Sequence, residues 1–196
     1  VTSKLSSEIL NKVRNDFRQT QRTFQREQGL RYEKLLDVAY LIGENPAFKA
    51  NVSLQDLASV YFTVEDFSQL TLVDLLLVTD ARGKLLAWLG DRDRHGEDLS
   101  DRVSVSRALR DEEREPTDLP ELWIEDGQLY QVASVPVYRA DTIIGSLTLG
   151  LRFTDVEADG LKGDSNIDVT FLAGGSDDSH VVATTVDGLT RAELDA

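Results

Sequence analysis

The sequence predicts an α+β protein: one long N-terminal helix, then an antiparallel sheet with helices gathered at its sides. Two patterns carry this. Apolar residues recur three or four positions apart through the first 45 residues, and from residue 73 onward short apolar runs alternate with tight-turn residues.

In "VRNDFRQTQRTFQREQGLRYEKLLDVAYLIGENP", Val13, Phe17, Thr20 and Phe24, then Tyr32, Leu35, Ala39 and Ile42, follow the repeat of one helix face, and Pro46 supplies the stop. Such a helix runs about 40 residues, or about 60 Å, too long for one small domain to cover. Part of it must meet solvent or a second copy, and Val13, Phe17 and Phe24 point to a parallel homodimer through this helix. Arg14, Arg18, Arg22 and Arg26 stand at four-residue steps along it. They form either a solvated face or a contact for acidic lipid headgroups or a partner's acidic body. Residues 1–45 are thus expected as a signalling or dimerisation arm and 46–196 as the body.

"SLQDLASVYFTVEDFSQL" offers Ser53 as a helix cap with Leu54, Leu57, Ala58, Tyr61 and Phe62 on one face. Residues 73–79 and 84–90 then read as a hairpin around "DARG", where Asp80 and Gly83 suit a tight turn. "DLSDRVSVSRALRDEERE" returns to helical spacing. "LWIEDGQLYQVASVPVYRADTIIGSLTLGLRF" gives a short strand, a turn at Asp126-Gly127 and two long strands. Further strands are expected at "NIDVTFLAG" and "HVVATTV", with a short helix or loop at "TDVEADGLKG" and a terminal helix at "GLTRAELDA". Short turns between strands make the sheet antiparallel.

Composition sets limits on function. The net charge of −14 argues against nucleic acid, whose phosphates are bound by clustered Lys and Arg. The first 50 residues hold nine Lys/Arg against six Asp/Glu, so a basic arm carries an acidic body. Cys is absent, which removes disulfides, thiolate metal sites and cysteine nucleophiles together. No run approaches the roughly 18 apolar residues of a membrane-spanning helix. Met is absent too, and the chain reads as a piece of something longer.

"LLVTDARGKLLAWLG", then "GEDLSDRVSVSRAL", then "GQLYQVASVPVYRADTIIGSLTLGLRF" resembles the order found in Cache domains, the PAS-like extracytoplasmic sensor modules of bacterial receptors. The marks are Asp80 and Gly83 in the first turn, Asp101 and Arg102 at a helix entry, Pro136 near the end of one strand and Gly145 near the start of the next, over roughly residues 70 to 155. Val103-Ser104-Val105 stands where the family often has Pro and ligand-touching aromatics, and "YRADTIIG" lacks a usual Gly, so no ligand type is carried over. The resemblance implies a single-Cache, PAS-like body and a ligand-binding sensor on the periplasmic face of the inner membrane. It would serve a histidine kinase, chemoreceptor or cyclic-dinucleotide enzyme, held in the membrane by flanking segments outside this sequence. The competing reading is a cytosolic PAS-like dimerisation module without a small ligand. Apolar segments of about 20 residues flanking the chain distinguish the first from the second.

Catalysis finds no support: His95 and His180 lie far apart, and there is no His-x-x-x-His pair, Gly-x-Ser-x-Gly elbow or phosphate-binding Gly-Lys-Ser/Thr loop. "AGGSDDSH" reads as a hairpin connection. "DRDRHGED" lacks the ligand order of a calcium loop and reads as a solvated loop. No enzyme, cofactor or metal is expected.

The expected site is a pocket between the sheet and the segments around residues 88 to 123. Trp88 ends the hairpin, Trp123 begins the later sheet, and Tyr130 and Ser134 share one strand face by two-residue alternation. Arg107 lies on the intervening helix, placed for a two-point pairing with a carboxylate. Aromatic walls with a few polar groups suit a small ligand, and Arg107 turns the preference toward a carboxylate or amino acid.

Overall fold

The computed structural model describes residues 2–112, 120–162, 168–174 and 180–186. The chain divides into two compact units: Val1–Leu30 with Ile124–Leu129 and Phe153–Ala196, and Arg31–Trp123 with Tyr130–Arg152. Helix α1, Thr2–Gly43, contributes to each.

The second unit is built on the sheet expected from the strand runs. Its strands are β1 (Leu75–Asp80), β2 (Leu85–Trp88), β3 (Glu121–Glu125), β4 (Gln128–Arg139) and β5 (Thr142–Arg152), in the order β2-β1-β5-β4-β3. β1 pairs antiparallel with β2 and β5, and β4 antiparallel with β5. The opening turn forms as read: Asp80 Oδ1 accepts the amides of Arg82 and Lys84 at 2.8 and 2.9 Å, and Gly83 takes φ +80°. Both sheet faces are covered, which is why β1 is an unbroken apolar run rather than an alternating one. One face carries Leu76, Val78, Val135, Val137, Leu147 and Leu149 against Leu35, Ala39 and Ile42 of α1. The other carries Leu75, Leu77, Leu85, Trp88 and Val132 against Leu99 and Val105.

The segment after α1 departs from expectation. Pro46 ends one helix and also starts another: it opens α2 (Pro46–Leu54), capped by Asn45, whose Oδ1 accepts the Phe48 amide at 3.0 Å. Ser53 therefore sits inside a helix instead of capping one. Gln55, in the left-handed region at φ +53°, closes α2, and α3 (Leu57–Leu70) follows. That break resets the helical phase. Val60, Tyr61 and Val64 turn inward, while Leu54 and Phe62, expected on the buried face, are exposed. α4 spans Val103–Leu109.

The first unit holds the antiparallel pair β6 (Thr170–Ala173) and β7 (His180–Thr184), with α5 at Asp155–Lys162. Phe171 packs against Phe153 and Phe24 in tilted ring contacts at centroid distances of 5.0 and 5.9 Å, closing a small core with Leu129, Ala173 and Val182. The terminal segment "GLTRAELDA", the 175–179 connection and the side chain of Val13 lie outside the described residues. Among the described residues, no helix is long and apolar enough to cross a membrane.

Candidate ligand-binding cleft

A cleft of about 610 Å³ opens in the second unit, and its walls follow from strand length and helix phase. β4 has twelve residues and β3 only five, so β4 extends past its neighbour. Val132, Ser134 and Pro136, alternate residues of β4, form the floor there. Pro136 is tolerated in a strand at such an edge, where no neighbour needs its missing N–H.

One wall is α4. Val105 and Ala108 turn inward three residues apart and seat the helix on the sheet, which leaves Ser104, Arg107 and Asp111 along the cleft. Glu121, at the start of β3, accepts the Ser104 amide through Oε2 and thereby caps the first turn. Asp111 stands just past the helix in the left-handed region at φ +54°. Its carboxylate takes the Tyr138 phenol, and that hydrogen bond, with burial and the nearby negative charge, pushes the phenol up to about 12. The opposite wall is α1, through Tyr32, Glu33, Leu36 and Tyr40. Tyr32, Leu36 and Tyr40 are spaced by four, a stripe one position round from the Leu35, Ala39 and Ile42 that bury against the sheet.

From the floor a row of hydroxyls runs inward along the same sheet face. Ser134 and Thr148 share a hydrogen bond at 2.7 Å across β4 and β5, and Thr79 and Ser146 share another at 2.7 Å across β1 and β5. The central part of this sheet face is therefore polar.

Of the five residues expected at the pocket, the structure brings two to the cleft. Arg107 and Ser134 line it. Trp88, Trp123 and Tyr130 are absent from its lining and pack in the apolar cluster on the same sheet face. Trp123 is only 1 % exposed, with the Arg102 guanidinium 4.6 Å from its ring centre; Arg94 covers Trp88 in the same way at 3.6 Å. The sequence does not mark the α1 wall, because Tyr32 sits beside the core stripe and shares its spacing. The spacing of Tyr32, Leu36 and Tyr40 was the available signal.

The acidic loop "DRDRHGED" is occupied by the protein's own donors. Arg94 forks onto Glu97, Lys84 meets Asp98 at 3.0 Å, and Asp91 accepts the Asp93 amide. Among the described residues, no group of three or more His, Cys, Asp or Glu is placed to hold a metal ion.

No protein-family model matches the chain, and no curated protein does. Solved structures do. The sensor domain of the Vibrio cholerae histidine kinase DctB aligns over 96% of this chain and 74% of its own, at 15% identity and TM-score 0.63. The periplasmic domain of Vibrio cholerae LuxQ aligns over 90% and 82%, at 15% identity and TM-score 0.57. The fold is that of PAS-like extracytoplasmic sensor domains. The ligand-binding domain of the Campylobacter jejuni chemoreceptor Tlp3, solved with L-valine, shares it at 13% identity and TM-score 0.55, over 93% of this chain and 73% of its own. The α+β class, the long leading helix and the antiparallel sheet all agree with that fold.

Proposed function

We propose that this chain is the non-catalytic, extracytoplasmic input domain of a membrane receptor, of the histidine kinase or chemoreceptor kind, and that it senses a small molecule in the cleft between α1 and α4. The observation that carries this reading is that the cleft is walled by the long helix itself, through Tyr32, Glu33, Leu36 and Tyr40. A ligand there contacts the element that continues out of the second unit. Occupancy need favour one arrangement of that helix by only a few kcal/mol to change an output. A sensor domain of the same fold, that of Tlp3, solved once with valine and once with isoleucine, supports a small-molecule ligand. Arg107 and Ser134 are its proposed contacts, with Trp88, Trp123 and Tyr130 packing beside the floor on the same sheet face. A carboxylate or amino acid suits Arg107, and pairing of two α1 helices in parallel completes the transmitting unit.

The test is a thermal-shift screen of amino acids, organic acids, amines and divalent ions. A binder at 100 times its Kd adds about 2.7 kcal/mol to stability. Ser134→Trp fills the cleft and should abolish that gain while the chain stays folded. Stabilisation that survives the filled cleft places the ligand elsewhere, and an inert panel counts against a ligand sensor.

A further inference from the structure

The cleft's charge goes further than its shape. Among the described residues, four carboxylates line it, Glu33, Asp111, Glu112 and Glu121, against one guanidinium, that of Arg107. Three of the four are already engaged. Glu121 holds the Ser104 amide, Asp111 the Tyr138 phenol, and Glu112 pairs with Arg110 at 2.8 Å. Glu33 meets no cation among the described residues, and it projects from α1 between Tyr32 and the Leu36–Tyr40 stripe. Across from it, the Ser104 hydroxyl is buried and finds no hydrogen-bond partner among the described residues.

We infer that the cleft selects a ligand bearing an ammonium group, which Glu33 receives on α1, and that any carboxylate on the same ligand is carried by Arg107 on α4. This rests on the cleft being the ligand site. Three physical terms agree. A bare anion entering the cleft meets like charge on both walls, which disfavours wrong partners at close range. An ammonium gains a charge-assisted hydrogen bond from a carboxylate that lacks one. It also lies beside the rings of Tyr32 and Tyr40, whose faces attract cations. The expectation of a carboxylate ligand drawn from Arg107 is thereby narrowed: a free organic acid is disfavoured, and an amine or a zwitterion is favoured. Because Glu33 belongs to the long helix, the group that recognises the ammonium is also the group that is pulled.

The probes are propylammonium, propionate and the zwitterion 2-aminobutyrate, titrated into the whole chain at constant ionic strength and followed through backbone amide shifts. Propylammonium and 2-aminobutyrate should perturb Tyr32, Glu33 and Ser104, with propionate needing about tenfold more, the factor one charge-assisted hydrogen bond supplies. Glu33→Gln should remove that advantage, and Asp141→Asn, an equal change of net charge on an exposed turn, should keep it. Tighter binding of propionate, or a cation preference that Glu33→Gln leaves intact, overturns the ligand class and leaves the cleft as the site. If no probe moves the cleft amides, both the ligand class and the cleft fall.

Discussion

Ser134 Oγ and Thr148 Oγ1 lie 2.7 Å apart across β4 and β5, with Thr148 fully buried, so the cleft floor is pinned to the centre of the sheet by a hydroxyl pair. Removing one partner leaves the other buried and unsatisfied, which costs about 1 to 3 kcal/mol. Ser134→Ala should therefore destabilise the chain in urea denaturation by that order. Adding Thr148→Val should recover part of the loss, because an apolar pair of similar shape leaves nothing unpaired. A double variant as weak as the sum of the singles would show that the two hydroxyls act independently.

Two glycines separate close approach from mere presence. A Cβ on Gly145 would stand 2.0 Å from the Thr79 carbonyl oxygen and 3.3 Å from Val52 Cγ1, so β1 and β5 could not keep their spacing. Gly145→Ala should cost more than about 3 kcal/mol, the range of overpacked cores. A Cβ on Gly29, in α1, meets nothing within 4 Å. Gly29→Ala should raise stability by about 0.5 to 1 kcal/mol through helix propensity alone. Thermal midpoints moving in the same direction for both variants would contradict this account.

Gly145 also shows what the sequence made legible. Strand runs, the Asp80–Gly83 turn and the Asp126-Gly127 turn are set by local chemistry and were readable in order. The α2–α3 break was not, because Gln55 carries no mark of the left-handed conformation it adopts, and the reset phase turns Leu57 and Phe62 outward while Tyr61 stays buried. The cleft was half readable for a related reason. Alternation along β4 places Ser134, and helical spacing places Arg107, but nothing local tells that β4 extends past β3 or that Tyr32 and Tyr40 face the gap. Trp88 and Trp123 have the composition of a ligand wall. Arg94 and Arg102 cover them instead, a pairing between segments distant in sequence or unmarked by spacing.

The Asp111–Tyr138 contact makes a pH prediction. The folded phenol is raised from 10.0 to about 12, chiefly by its hydrogen bond to Asp111. A group raised on folding contributes stability that is complete below its unfolded value and is lost as pH climbs through the folded one. The contribution should thus hold to about pH 10 and disappear by about pH 12. Ultraviolet titration of tyrosinate should show one late phenol, which returns to the ordinary range in Asp111→Asn. Five tyrosines titrating together would remove the contact from consideration.

Asp98 gives the acid-side counterpart. Its carboxyl is lowered from 3.8 to about 2, first by the Ser100 hydroxyl at 2.6 Å and next by Lys84 at 3.0 Å. A lowered carboxylate stabilises the fold above its unfolded value and ceases to as pH falls through the folded one, so the window runs from about 4 down to about 2. Asp98→Asn should be less stable than the parent at pH 7, with the gap narrowing as pH falls toward 2. A gap that stays constant down to that pH would assign the effect to packing.

The last prediction concerns α1. The helix has 42 residues, about 63 Å at 1.5 Å each, and its apolar positions divide in function. Phe24 packs on Phe171, whereas Phe17 is 64 % exposed. Arg14, Arg18, Arg22 and Arg26 are all exposed as well, so charge flanks the Phe17 ring along the helix. Burying one such side chain is worth about 1.5 to 3 kcal/mol, enough to help hold a second α1 but too little alone to hold it tightly. We therefore expect a parallel homodimer that dissociates on dilution, with Phe17→Asp weakening it by about tenfold or more. Sedimentation equilibrium across a wide concentration range reads this directly. A chain that stays monomeric at the highest concentration, with Phe17→Asp behaving identically, removes α1 pairing from the transmitting mechanism and leaves the Glu33 wall of the cleft to act within one copy.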